Sequence, residues 1–214
     1  QVLCIVNSRK TAKTIYDRLD YEGAFHLSTL MVPAQRREGL KEIRKRLIAG
    51  ETCRVVSTSL IEAGVDVDFP RVYRELTGLD SILQAAGRCN REGGRELDES
   101  IVTVFKGETV APQLFQPLIA GAEHVIEKYE KIDSKEAVKE YFTELITIKG
   151  EAAQDKNRVL IYLKDIAIAS AANEFHMIED NMRTVYIPWG KGGELTARLK
   201  EGECSRGLFR ALGQ

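Results

Sequence analysis

Short apolar runs alternate with segments of helical apolar spacing along the first half of this chain, and that alternation constrains the fold more than any other feature. Residues 2–6, Val-Leu-Cys-Ile-Val, form a continuous apolar run, the pattern of a strand buried on both faces. Residues 11–19 follow as a helix with Ala12, Ile15, Tyr16 and Leu19 on one side, and 24–28 offer a second short strand. Pro33 opens a longer helix over 33–48, with Leu40, Ile43 and Leu47 inward, Arg36, Arg37, Lys41, Arg44 and Lys45 outward, and Gly50 closing it. Further strands are predicted over 54–58, 72–75 and 101–105. The economical solution is α/β: a right-handed, mostly parallel sheet with helices on both faces. Such sheets bind ligands at the carboxyl ends of their strands. Polar residues collect there: Asn7-Ser8-Arg9, Ser28-Thr29 and Thr58-Ser59. Hydroxyls and exposed N–H groups hold phosphate without reading sequence. Each of these residues alone is as well explained as a helix cap or turn; as a set they favour a binding role.

Gln84-Ala85-Ala86-Gly87-Arg88-Cys89-Asn90-Arg91 carries the most specific chemistry. As a helix, or a helix entering a tight turn, it spaces Gln84, Arg88 and Arg91 at i, i+4 and i+7, which puts an amide and two guanidiniums on one face. Gly87 between them leaves the backbone approachable. Two planar forks aimed at one point suit a polyanion such as a triphosphate. Taken alone, a solvated Arg-rich helix face is the commoner reading.

Upstream lies Val55-Val56-Ser57-Thr58-Ser59-Leu60-Ile61-Glu62-Ala63-Gly64-Val65-Asp66. The two stretches together resemble motifs V and VI of superfamily 2 helicases, in order and in spacing. The narrower pattern, Ile61-Glu62-Ala63-Gly64-Val65-Asp66-Val67-Asp68-Phe69-Pro70 and then the Arg88–Gly93 run, looks like the CRISPR-associated helicase-nuclease of type I interference systems. Leu27-Ser28-Thr29-Leu30-Met31-Val32-Pro33-Ala34-Gln35-Arg36 is similar to that family's version of motif IVa, with Arg36 at its arginine position. The resemblance implies the second of two RecA-like domains that clamp ATP between them. Arg88 and Arg91 would meet the phosphates, with Arg91 favoured as the arginine finger. Asn7, Ser8, Arg9, Ser28, Thr29, Arg36, Thr58 and Ser59 would hold single-stranded DNA. Gly64 and Asp66 fall in the nucleotide-facing loop; the Asp66 carboxylate either accepts from ribose hydroxyls or braces the arginines. Gln84 touches the phosphates or positions Arg88, and Glu62 organises the motif V loop or caps a short helix.

Composition is compatible with this and does not demand it. The 214 residues carry 43% hydrophobic and 29% charged side chains, enough for a packed core, with a formal net charge of −1 that does not advertise nucleic-acid binding. Residues 33–54 are locally basic, a strip able to track a phosphate backbone, although a solvated helix face explains it as simply. Cys4, Cys53, Cys89 and Cys204 show no metal-ligand spacing, and Cys4 and Cys53 read as small buried hydrophobes. A reducing cytoplasm is the default. No run is apolar enough to cross a bilayer.

By this resemblance the second RecA-like domain is expected over 1–106, and 107–214 as a helical linker and the start of a truncated C-terminal domain. Helices are predicted over 113–130, 134–146 and 155–172, with a strand pair over 174–179 and 184–188. No phosphate-loop, metal-binding Asp-Glu or His-Asp nuclease motif occurs, so the residues describe half of an ATPase. The abrupt start in a strand suggests a fragment. The resemblance therefore implies part of an ATP-dependent single-stranded DNA translocase, an ATP hydrolase only when complete. Magnesium would be held by the other motor domain, a nuclease domain would degrade the DNA, and an RNA-guided CRISPR surveillance complex would be the partner. The rival readings are another superfamily 2 repair helicase and a non-catalytic nucleic-acid-binding module.

Overall fold

The computed structural model describes residues 1–19, 22–108, 110–150, 155, 157–175 and 185–212. Two compact units divide the chain, Gln1–Lys156 and Asn157–Gln214.

The first unit is built on five parallel strands: β1 (Val2–Ile5), β2 (Ala24–Leu27), β3 (Arg54–Ser57), β4 (Arg71–Glu75) and β5 (Ile101–Phe105), in the order β2-β3-β1-β4-β5. The predicted parallel α/β sheet is therefore the observed one. Registers run level across it: Ile5 stands opposite Ser57 on one side and Arg74 on the other, and Leu27 opposite Ser57. The carboxyl ends of four strands consequently finish on one line, which brings Asn7, Ser28, Thr58 and Leu76 to a common edge.

Helix α1 (Arg9–Arg18) links β1 to β2, and α2 (Pro33–Ile48) links β2 to β3. Because the two crossovers step in opposite directions, right-handed connection puts them on opposite faces. Alternation along β1 matches this. Leu3 and Ile5 pack with Ile43 of α2, whereas Val6 packs with Ala12 of α1, all fully buried. Pro33 sits at the start of α2, where its missing N–H costs nothing.

A short helix, α3 (Leu79–Ala86), follows β4. Helices α4 (Gln116–Lys128) and α5 (Lys135–Lys149) then share a core with it: Leu79 and Ile82 of α3 against Ala122, Val125, Ala137 and Tyr141. The sequence boundary at 106 marks the end of the sheet, while the compact unit continues to Lys156. Pro117 lies in the first turn of α4 as its position suggested, and Ser134 caps α5 by accepting from the Ala137 N–H at 3.2 Å. Phe142 of α5 is exposed, and the aromatic that fills the core is its neighbour Tyr141.

Glu140 staples α5 to α4, accepting from Lys128 Nζ at 2.6 Å, from Tyr129 Oη and from His124 Nε2 at 2.9 Å. Those donors lower its carboxyl from an ordinary 4.5 to about 2. A depressed carboxyl contributes stability that is present above 4.5 and lost as pH falls toward 2. Glu140→Gln is expected to melt slightly below the parent at neutral pH, with the gap closing across that acid window. Melting curves through the window check this; a gap that persists unchanged to the acid end would mean that packing, not charge, carries the contact.

In the second unit, Val159–Lys164 and Ile168–Glu174 are separate helices, where one was predicted over 155–172. The break comes at Asp165, after which Ile166 takes a left-handed φ of 57°, a conformation no helix continues through. Leu160, Leu163 and Ile166 are exposed. Helices Lys191–Lys200 and Arg206–Leu212 complete the unit. The strand pair predicted over 174–179 and 184–188 lies partly outside the described residues; within it, Glu174 closes a helix and 185–188 form no strand. Among the described residues no helix is long and apolar enough to cross a membrane.

Candidate functional site

At the carboxyl edge of the sheet the polar residues divide into two groups. The first is the set read as nucleic-acid-binding. Ser8 caps α1, its Oγ accepting from the Thr11 N–H at 2.9 Å, and Arg9 stands exposed in the first turn. Asn7 is committed within the protein: its Nδ2 donates to the Leu76 carbonyl at 2.8 Å and its Oδ1 accepts from Arg74 Nη1 at 2.8 Å. Ser28 is buried and turns the chain, its Oγ accepting from Leu30 N–H at 3.3 Å; Thr29 is exposed beside it. Thr58 is nearly buried, its N–H on the Leu27 carbonyl at 3.2 Å, and Ser59 opens a single 3-10 turn, Ser59–Ile61, with its side chain exposed. Arg9, Thr29 and Ser59 thus face solvent, whereas Asn7, Ser28 and Thr58 shape the backbone that presents them.

Arg36 lines a cleft of about 240 Å³ between α2 and the 3-10 turn, with Leu27, Leu40, Ile61 and Val65 among the walls. Its Nε is buried and has no hydrogen-bond partner among the described residues. Arg44, expected on the solvated side of α2, instead donates from Nε to the Asp66 carbonyl at 2.8 Å and so fixes the following loop. A second open cleft, of about 500 Å³, lies along α4 and α5, and no motif residue lines it.

The second group surrounds the arginines. Helix α3 ends at Ala86, with Gly87 as its C-cap, so Gln84, Arg88 and Arg91 do not share a helical face. The alternative, a helix entering a turn, is what forms. Gln84 is exposed on α3. Beyond Gly87 the chain runs as a one-residue parallel bridge, Cys89 beside Phe69. The Phe69 N–H donates to the Arg88 carbonyl at 2.9 Å and the Asn90 N–H returns to the Phe69 carbonyl at 3.2 Å. Asn90 then takes a left-handed φ of 53°, which an Asn side chain tolerates; its amide brackets Arg95, accepting from the backbone N–H at 3.0 Å and donating to the carbonyl at 2.8 Å. Asp68 completes the strap: Oδ1 accepts from the Arg91 N–H and Oδ2 pairs with Arg95 Nη1, each at 2.8 Å.

The strap gives the two arginines opposite surroundings. Arg88 is 7% exposed and donates a short bond from Nη2 to the Glu62 carbonyl, while its Nε and Nη1 find no acceptor among the described residues. Burial first, and then the neighbouring Arg91 charge, hold its pKa below the ordinary value, against the pull of Asp66 and Glu62. Arg91 projects outward and pairs with Asp66, Nε to Oδ1 at 3.0 Å, both side chains well exposed. Exposed pairs of this kind contribute about 0–1 kcal/mol, so Arg91 can exchange Asp66 for a stronger anion at little cost. Gly64, between Glu62 and Asp66, has a φ of +69° with open space where a Cβ would stand; its contribution is the turn itself. A guanidinium held by an exposed ion pair and one that is buried yet short of acceptors together suit a polyphosphate.

Residues 1–94 match the family model described as the C-terminal part of the CRISPR-associated nuclease/helicase Cas3, a span that ends just beyond Arg91. Among curated Cas3-named relatives, the nuclease/helicase of Haloferax volcanii is 54% identical over 50 residues, 22% of this chain and 5% of that protein. The CRISPR-associated helicase of Thermoproteus tenax is 23% identical over 226 residues, 97% of this chain and 38% of its own length. The chain thus spans well under half of either. The crystal structure of T. fusca Cas3 with ATP superposes with a TM-score of 0.54 at 16% identity, over 81% of this chain and 22% of that one, a likeness of fold.

Several residues of the sheet unit that organise the site were not singled out in the sequence. Arg74 is 2% exposed and pairs with Glu62, Nε to Oε1 at 2.8 Å. Glu75 accepts from the Asn7 N–H at 2.7 Å. A charged pair closing β4, directly after Val72 and Tyr73, was the available signal. For Asp68 the signal was weaker, because Asp66 stands two residues earlier with the same chemistry.

Proposed function

We propose that this chain supplies one wall of an ATP-driven single-stranded DNA motor, with Arg91 as its arginine finger. The observation that carries the reading is the contrast between the two arginines. Arg91 is exposed on a backbone strapped to the Phe69 edge, held only by a surface ion pair, while Arg88 is buried behind it with two unpartnered nitrogens. A finger must be rigidly based and free at its tip, so that it meets charge developing on the γ-phosphate when a second domain closes. Arg88 would grip the phosphates, Asp66 would receive a ribose hydroxyl or release Arg91, and Gly64 would shape their loop. Gln84, exposed one turn before Arg88, would border the same phosphates. The line of Ser8, Arg9, Ser28, Thr29, Arg36, Thr58 and Ser59, anchored by Asn7, would carry the DNA backbone. Magnesium and the nuclease would reside in other domains of the complete cytoplasmic protein, and an RNA-guided surveillance complex would recruit it.

The isolated chain is expected to bind single-stranded DNA weakly and to hydrolyse no ATP above background, because the opposing phosphate-binding wall is absent. Affinity should fall with salt, each neutralised phosphate adding about 0.7 to the log–log slope. Turnover and DNA binding across a salt series test both halves. Steady hydrolysis by this chain alone, or salt-independent or base-specific binding, would sink the half-motor reading.

A further inference from the structure

In a sheet of order β2-β3-β1-β4-β5 the chain leaves β1 toward β2 and leaves β4 toward β5. The crevice between those two carboxyl ends is the switch point at which such sheets ordinarily receive a ligand. Here protein groups fill it. Arg74, almost wholly buried, presents Nε to Glu62 at 2.8 Å and Nη1 to both Asn7 Oδ1 at 2.8 Å and the Glu75 carbonyl at 2.9 Å. Glu75 takes the Asn7 N–H at 2.7 Å, and Asn7 donates on to the Leu76 carbonyl at 2.8 Å. The residue that precedes Ser8 and Arg9 is therefore fixed by three bonds to the end of β4.

Glu62 is the other terminus of this network and has two faces. Its carboxylate receives Arg74 and, at 3.1 Å, the Ser81 hydroxyl, while its carbonyl receives Arg88 Nη2. It is also the C-cap of the turn that begins at Ser59. Two arginines and two glutamates balance in charge, yet burial still holds the Glu62 carboxyl above its ordinary range and the Arg74 guanidinium below its own. Attraction does not fully repay desolvation here, so the pair is poorly explained as a device for stability alone.

We infer that Arg74, which lies in none of the helicase-like motifs, is a positioning residue that couples the DNA-facing end of β1 and the Ser59 turn to Arg88 through Glu62. This rests on the reading of Arg88 as phosphate-binding and of residues 7–9 and 58–59 as DNA-facing. The Glu62 carbonyl, through its bond to Nη2, sets where the two unpartnered nitrogens of Arg88 stand. Any displacement of the Ser59–Ile61 turn moves that carbonyl and, through Arg74, Asn7 as well. Both sites thus bias one shared element, the physical requirement for coupling.

The test uses the complete protein that carries this domain, reading ATP turnover with and without single-stranded DNA, DNA affinity and melting. Arg74→Met and Glu62→Gln each leave a buried polar partner unmatched and should lower Tm; the double variant removes both charges and should recover most of that loss. In the double variant the ratio of DNA-stimulated to basal turnover should still fall roughly tenfold, within the 5–150-fold usual for site-to-site coupling. DNA affinity should change by less than about threefold, because no DNA-facing group is removed. Arg74→Lys, which keeps the charge without the fork that serves Glu62 and Asn7 together, should lose stimulation in the same way. A purely structural role would move Tm and leave the ratio intact, and an intact ratio in either variant overturns the inference. Should the double variant fail to fold, Ser81→Ala strips only one hydrogen bond from Glu62, and an unchanged ratio there overturns it equally. A parent protein whose turnover DNA does not stimulate overturns the motor reading itself, an outcome distinct from a stimulated parent with indifferent variants.

Discussion

Arg91→Ala in the complete protein is expected to cut DNA-stimulated ATP hydrolysis by on the order of 10³–10⁵, the span that arginine fingers contribute elsewhere. The fold should survive the change. The bond that anchors the loop runs from the backbone N–H of residue 91 to Asp68, and any residue but proline can make it. What the side chain loses is an exposed pair with Asp66, which contributes little. Arg91→Lys should fare almost as badly: the charge remains, but a single ammonium cannot offer two parallel donors to a phosphoryl group. Arg88→Ala differs in kind. It removes a buried guanidinium and frees the Glu62 carbonyl, so weakened nucleotide binding should accompany slower turnover. ATP turnover with and without DNA, set beside a melting curve for each variant, separates the two arginines. Normal hydrolysis by Arg91→Ala, or its unfolding, would make this guanidinium structural.

The sheet was legible because short apolar runs alternate with helices of clear period. The run at Val2, the helix opened by Pro33 and the strand Ile101–Phe105 follow directly from apolar pattern and turn chemistry. The motif residues were legible as a set, since glycine, arginine and carboxylate at those spacings have few other uses. Their conformation was not. Helical spacing placed Arg88 and Arg91 on one face, whereas Gly87 ends the helix and Phe69 recruits Cys89 into a bridge, a contact between segments that local pattern does not contain. Arg74 was missed for a related reason. A charged residue in a strand reads as exposed unless its partners are known, and Glu62 and Asn7 come from two other segments. Ile166 marks the limit of periodicity: nothing in Leu160, Leu163 and Ile166 announces a left-handed residue that divides their helix.

Phe69→Ala is expected to lower the stability of the sheet unit by about 3–5 kcal/mol, as for other fully buried phenylalanines cut to alanine. The ring is wholly buried with Leu3, Ile5, Val67, Val72 and Ala85, so its loss leaves a void under both motif segments at once. At about 2–4 °C per kcal/mol for a domain of this size, the melting temperature should fall by roughly 6–20 °C. Phe69→Leu should recover most of that, since it refills much of the volume and leaves unchanged the backbone bonds to Arg88 and Asn90. The backbone bridge is thus separable from the packing beneath it. Below their melting points, Phe69→Leu in the complete protein should retain DNA-stimulated turnover, while Phe69→Ala should lose part of it as the base of Arg91 loosens. Thermal and denaturant melts give the first comparison and turnover in the cold the second. A loss below about 1 kcal/mol for Phe69→Ala, within the range of surface substitutions, would mean that the bridge to Cys89, not the buried ring, holds the arginine segment in place.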